Sequence, residues 1–355
     1  MRLGGRWLGL VCVFAIALVA GYGFAGADGK ATTSQTRSVC RTAGGVATWS
    51  PDGKRIGYVG RLHAICVASA DGMHARPLPY TVCRVQCRVH LPDPPIQLDW
   101  VRPKLLLYLD DFELFAVQIG QRPRLLGKVQ GEIDTFAADA RGDRVALGSS
   151  VCSNCRGPVT VLSVPSGRIV GRIGGPAADN YFPSLSPDGK RLAFIETQPR
   201  IEVWTASADG ANLQPLKQCG GTPIWSPKGD RILCSGLSTR PPHHCCSLSL
   251  VPPQGGPSTT LVPSGVAPNL LLSWSPDGRR ILYRTGHCGC RLAVVDVRTR
   301  RTRWLGESGN LVSADWSPDS RQLLVTEPSP LFSNCALVWR VPADGTKPRR
   351  LLSCS

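Results

Sequence analysis

The densest collection of metal-binding side chains in this 355-residue chain is His243-His244-Cys245-Cys246, echoed downstream by His287-Cys288-Gly289-Cys290. Imidazole combined with thiolate suits zinc or copper. Neither spacing matches an established zinc pattern, however, and adjacent cysteines are poorly placed to ligate one ion. His243, His244, Cys245, His287, Cys288 and Cys290 therefore form an alternative metal set, and the leading expectation is a chain without metal or cofactor. Asp110, Asp111 and Glu113 make an acidic cluster that could hold a cation or a basic partner. An acidic hairpin tip is more commonly just solvated. A nucleophile elbow is approached by Gly306-Glu307-Ser308-Gly309-Asn310 but fails at its last position. There is no phosphate loop, dinucleotide fingerprint or His-Glu-x-x-His motif. No catalytic residue can be assigned, and the chain is expected not to be an enzyme.

The elements that would position these groups are set by a repeat. Thr48-Trp49-Ser50-Pro51-Asp52-Gly53-Lys54-Arg55-Ile56 recurs at Leu185–Leu192, Trp225–Ile232, Trp274–Ile281 and Trp316–Leu323. Two worn copies fill the gaps, Asp99-Trp100-Val101-Arg102-Pro103-Lys104-Leu105-Leu106 and Ala138-Asp139-Ala140-Arg141-Gly142-Asp143-Arg144-Val145. A period of roughly 40–50 residues is that of a propeller blade. The 38 Gly and 30 Pro agree with frequent turns between short strands.

The phrase has a physical reading. Serine at the first turn position bonds locally, Pro presets φ at the second, and Gly takes the left-handed conformation at the fourth. A type I turn with a glycine bulge closes a short hairpin, and the flanking Trp and Ile/Leu/Val belong to strands whose large residues fill the space between neighbouring units. A second turn recurs as Ala70-Asp71-Gly72, Ala208-Asp209-Gly210 and Ala343-Asp344-Gly345, with Pro165-Ser166-Gly167 as a variant. Four strands per unit predict an all-β, seven-bladed β-propeller of four-stranded antiparallel blades covering 46–355 as one domain. Six ordered blades with one degenerate unit is the alternative, because the second and third copies are inferred from position.

This run of Trp-Ser-Pro-Asp-Gly, basic residue, apolar strand and Ala-Asp-Gly resembles the WD40-like repeat of TolB-type propellers and of the propellers attached to prolyl oligopeptidases. The resemblance implies the fold and little about activity. It departs from TolB in counting seven units and in leaving only residues 28–45 as a linker before them. No hydrolase domain follows the ring. Related seven-bladed polysaccharide lyases are the enzymatic alternative; that resemblance implies histidines around a metal in the ring mouth, whereas here most histidines fall on two adjacent loops.

The N-terminus reads as an export signal. Arg2 and Arg6 precede an apolar run to about Phe24 and the small residues Ala25-Gly26-Ala27, so 1–27 is a signal peptide, or an uncleaved membrane anchor. Either places the ring outside the cytoplasm, secreted, periplasmic or anchored, where disulfides persist. Fourteen cysteines remain beyond that segment. Placed on the repeat, Cys152, Cys155, Cys245, Cys246, Cys288, Cys290 and Cys335 fall in loops between second and third strands. Cys83, Cys87 and Cys219 fall in links between blades, Cys234 closes a strand beside such a loop, and Cys66 is the exception inside a strand. Cys40 and Cys354 flank the seam and are expected to pair, clamping the ring ends.

The formal charge of +16 is scattered through the repeats without a long basic block. A solvated surface accounts for it, with attraction to anionic envelope polymers or lipids as the sharper reading. The expectation is a monomeric, non-catalytic scaffold that binds a protein or cell-envelope component through the cysteine-rich loop face, without nucleic acid, and with membrane contact only through the N-terminal segment. Metal-dependent polysaccharide lyase and metal-binding propeller are the alternatives.

Overall fold

The computed structural model describes residues 39–41, 43–60, 64–79, 97–110, 113–127, 135–148, 157–174, 180–196, 202–217, 219, 221–235, 247–263, 268–285, 291–307, 311, 313–329 and 335–354. The chain divides into two units, Met1–Thr32 and Thr33–Ser355. All the described residues lie in the second, and among them no helix is long and apolar enough to cross a membrane.

Within that unit the repeated phrase builds seven four-stranded antiparallel blades, each from consecutive strands. Blade one is β1 (Ala43–Trp49), β2 (Arg55–Gly60), β3 (Ile65–Ser69) and β4 (Arg76–Pro77). Blade two runs from β5 (Leu98–Arg102) to β8 (Arg124–Gly127), and blade three from β9 (Thr135–Ala138) to β12 (Ile169–Ile173). The worn copies are thus complete blades, and the six-blade alternative is set aside. Blade four spans β13 (Asn180–Leu185) to β16 (Gln214–Pro215), blade five β17 (Pro223–Trp225) to β20 (Thr259–Val262) and blade six β21 (Pro268–Trp274) to β24 (Thr302–Glu307). Blade seven runs from β25 (Ser313–Trp316) through β26 (Gln322–Pro328) and β27 (Ala336–Pro342) to β28 (Arg349–Leu352). Its first strand and that of blade one flank the seam, and β1 starts within the segment expected to be linker.

The turn chemistry follows the sequence. The Gly53 N–H donates to the Ser50 carbonyl at 2.8 Å, the Ser50 hydroxyl donates to the Asp52 carboxylate at 2.6 Å, and Gly53 sits at φ 67°. In the worn third copy Asp139 takes the serine's part, accepting the N–H groups of Asp143 and Arg144 at 2.7 and 2.8 Å, while Gly142 keeps φ 66°. Blade seven places Ser320 at the glycine position, at φ 61°, and its hydroxyl accepts from the Asp277 N–H of blade six at 3.0 Å.

A blade is apolar on both faces, so the core is divided between the blade interfaces. Trp49, Ile56 and Tyr58 of blade one pack with Leu324 and Val338 of blade seven, and Trp100, Leu106 and Tyr108 of blade two pack with Val59 and Ile65 of blade one. The seam is closed without exchange of a strand between the chain ends. A bridge between Ala43 and Ala336 joins β1 to β27, the Arg340 guanidinium donates to the Ala70 carbonyl, and Arg340 lies 5.6 Å from the Trp49 ring centre.

Arginines flanking the first turn also reach the next blade. Arg102 donates to the Arg141 carbonyl and pairs with Asp143. Arg144 donates to the Gly189 carbonyl at 2.8 Å, and Arg280 to that of Ser320 at 3.3 Å. The conformation of the turn therefore fixes the neighbour's arginine as well as its own hairpin.

Candidate functional site

Two faces and an inner wall are available to a ligand. The first-turn and second-turn hairpins share one face; the loops between second and third strands and the links between blades share the other. The aspartates of the first turns are occupied structurally. The Ser50, Ser186 and Ser317 hydroxyls, donating to Asp52, Asp188 and Asp319, hold those carboxyls below the usual carboxylate range. Their recurrence has a local conformational cause and marks no catalytic site.

All three disulfides among the described residues lie toward the loop face. Cys40 pairs with Cys66, Cys219 with Cys234 and Cys335 with Cys354, at Cα separations of 5.7, 5.3 and 5.9 Å. The expected Cys40–Cys354 bridge is therefore corrected. Both residues do flank the seam, but each finds a nearer partner within its own blade. Cys66 also ceases to be an exception: as the second residue of β3 it sits at the loop-face end of its strand, below the buried Cys40. Gly60 makes room for this bridge, since a Cβ there would stand 2.6 Å from the Val39 carbonyl oxygen and 2.7 Å from the Cys66 sulfur. The Tyr58 hydroxyl donates to the Cys40 carbonyl, fixing the approach of the chain to blade one.

His243, His244, Cys245, Cys246, His287, Cys288 and Cys290 lie outside the described residues, as do Cys83, Cys87, Cys152, Cys155 and Asp111. Asp110 and Glu113 are described and face one another across the antiparallel pair β6 (Leu105–Asp110) and β7 (Glu113–Gln118). Among the described residues, no three His, Cys, Asp or Glu side chains are grouped as a metal would need.

The inner wall contains a pair of acids that the motif reading passed over. The residue before the repeat's Trp position is Thr48, Asp99, Ala137, Ser184, Ile224, Ser273 and Asp315 in blades one to seven. Two are therefore carboxylic acids, on the blades either side of blade one. Asp315 accepts the Trp49 N–H at 2.7 Å and the Thr48 hydroxyl at 2.9 Å, tying blade seven to the inner edge of blade one. It keeps a little solvent-accessible surface but is surrounded by protein. Burial, together with repulsion from Asp99, pushes its carboxyl up to about 7. Burial also raises Asp99. The signal in the sequence was positional, a charge at two of seven aligned sites otherwise small or apolar.

Seven four-stranded antiparallel blades in a ring define a seven-bladed β-propeller. The comparisons bear on the fold alone. No protein-family model matches the chain, and no curated protein sequence does. Among solved structures, an oligogalacturonate lyase in complex with manganese is similar over 83% of this chain and 87% of its own, with TM-score 0.63 and 14% identity. The oligogalacturonate lyase of Vibrio parahaemolyticus gives TM-score 0.62 at 13% identity, covering 85% and 90% of the two chains. TolB from Acinetobacter baumannii gives TM-score 0.52 at 15% identity, covering 84% and 76%. Lyases and a TolB thus share this fold.

Proposed function

We propose that the chain is a non-catalytic, extracytoplasmic scaffold that binds a protein or cell-envelope component through its disulfide-stapled loop face. The observation that supports this reading is the location of the three bridges. Loops between strands have few backbone partners of their own, and cross-links at their bases hold them in a shape suited to recognition at low entropic cost. Disulfides also belong to oxidising compartments, in keeping with the export-like N-terminus. The opposite face spends its serines and aspartates on its own turns. A lyase reading draws on fold likeness, and would need a metal set supplied by the segments that carry His243 to Cys246 and His287 to Cys290.

Photo-crosslinkers placed at exposed loop-face positions Pro79, Pro263 and Pro328, and at turn-face positions Lys54, Lys190 and Arg279, provide the test in envelope preparations. A single recurrent adduct from the loop-face set alone supports the proposal. Equal adducts from both sets would contradict it, as would manganese-dependent release of unsaturated products from oligogalacturonate by the purified protein.

A further inference from the structure

Blade six turns from β23 (Arg291–Asp296) into β24 through Val297-Arg298-Thr299-Arg300-Arg301, and β24 continues with Arg303. Blade seven turns from β27 into β28 through Asp344-Gly345-Thr346-Lys347, and Arg350 follows in β28. The fold brings the two turns together: the Arg303 guanidinium donates to the Asp344 carbonyl, and a Cβ on Gly345 would lie 3.4 Å from the Trp304 carbonyl oxygen. Arg298, Arg300, Arg301, Arg303, Lys347 and Arg350 are all exposed, so six cations share one edge of the turn face.

The two acids of this edge, Asp296 beside Arg298 and Asp344 beside Arg303, offset the six cations only in part. Asp296 accepts the Thr299 N–H and hydroxyl at 2.7 and 2.9 Å, and Asp344 accepts those of Thr346 at 3.0 and 2.8 Å. Each carboxylate is thereby held within its own turn. Among the described residues, none of the six cations has a carboxylate within ion-pair distance; the ion pair found there is Arg102 with Asp143. The charge is also local, because the corresponding stretch of blade five, Pro252–Val262, contains no charged residue.

We propose that this edge of blades six and seven binds an extended polyanion, a linear polymer carrying phosphate or carboxylate groups at short intervals. Guanidinium groups match both oxyanions with paired hydrogen bonds. Charge density would select the partner. A bilayer is a poorer fit, since a membrane-inserting patch needs apolar side chains standing among the cations. The exposed Trp304 pairs with Ala293, whose side chain packs in the core toward blade five, and it carries the Arg291 guanidinium 5.7 Å from its ring centre. It therefore points away from the cationic edge. This surface lies on the face opposite the disulfides, so it is separate from the recognition face proposed above, and either can fail without the other.

The test uses the full mature protein with polyphosphate and poly-L-glutamate as probes and phosphatidylglycerol-containing vesicles as a third. Arg298, Arg300, Arg301 and Lys347 are replaced together by Glu; the control replaces Arg124, Arg168, Arg172 and Lys217 by Glu, giving the same net charge from exposed cations of blades two to four. Thermal melts of both variants establish that they fold. The expected result is salt-sensitive binding of polyphosphate, polyglutamate or both, weakened at least roughly tenfold in the blade six–seven variant and far less in the control. The preferred probe identifies the oxyanion. Equal weakening in both variants would reduce the binding to net charge and overturn the proposal. Binding to vesicles alone, or to no probe, would overturn it as well.

Discussion

Replacing Asp315 by asparagine should flatten the loss of stability that the wild-type ring suffers between pH 4 and 7. The carboxyl is raised from 3.8 to about 7 in the folded ring, so the native state holds its proton more tightly than the unfolded chain does. Its contribution is fully present below the unfolded value of 3.8 and is lost as pH rises through about 7. A rise of that size corresponds to about 4 kcal/mol between the two ends of the window, to order of magnitude. Asparagine stays neutral, and its carbonyl can still accept the Trp49 N–H. The assay is the melting temperature of wild type and Asp315→Asn across pH 4–8. The wild type should melt progressively lower as pH rises, and the variant should retain more of its stability at pH 8. Asp99 and Glu327, also raised by burial, act in the same direction and remain in the variant, so the difference between the proteins reports Asp315 together with its repulsion by Asp99. The lowered turn aspartates act in the opposite sense, losing their contribution as pH falls below their usual value. Equal slopes for the two proteins would refute the buried, repelled state of Asp315.

Three further outcomes follow from the packing. Arg144→Ala should cost about 1.5–3 kcal/mol, the usual worth of a hydrogen bond from a charged donor, and Arg144→Lys should recover only part of it; chemical denaturation measures both. Gly60→Ala should cost about 1–3 kcal/mol through overpacking against the Cys40–Cys66 bridge, and should raise the free-thiol content after oxidative refolding. Ser186→Ala should destabilise blade four by about 1 kcal/mol and return the Asp188 carboxyl toward its ordinary value, followed by carboxyl titration in NMR.

Much of the ring was legible because its signals are local. Ser-Pro-Asp-Gly needs only its own neighbours to turn, so five copies announced their hairpins, and even the worn Asp139 copy kept a side-chain acceptor and Gly142 in register. Features that depend on the adjacent blade were not legible. Arg144 reads as a solvated charge until Gly189 is known to stand beside it, 45 residues away in sequence. The Cys40–Cys354 expectation used chain ends alone. The pairing seen instead depends on which strand end lies beneath each sulfur: β3 beneath Cys40, and the start of β27 beside Cys354. Asp315 carried no motif, and its meaning comes from blade one closing over it. The cationic edge likewise arises from two separate short sequences that meet only when blades six and seven are docked.

The most direct test of the scaffold is thiol counting and disulfide mapping of the mature protein, with metal analysis on the same sample. The account predicts peptides linked as Cys40–Cys66, Cys219–Cys234 and Cys335–Cys354, no free thiol at Cys245, Cys246, Cys288 or Cys290, and no stoichiometric metal. Free thiols at those four cysteines accompanied by about one bound zinc, copper or manganese ion per chain, the ratio a single such site would give, would contradict it and turn attention to metal chemistry on the loop face.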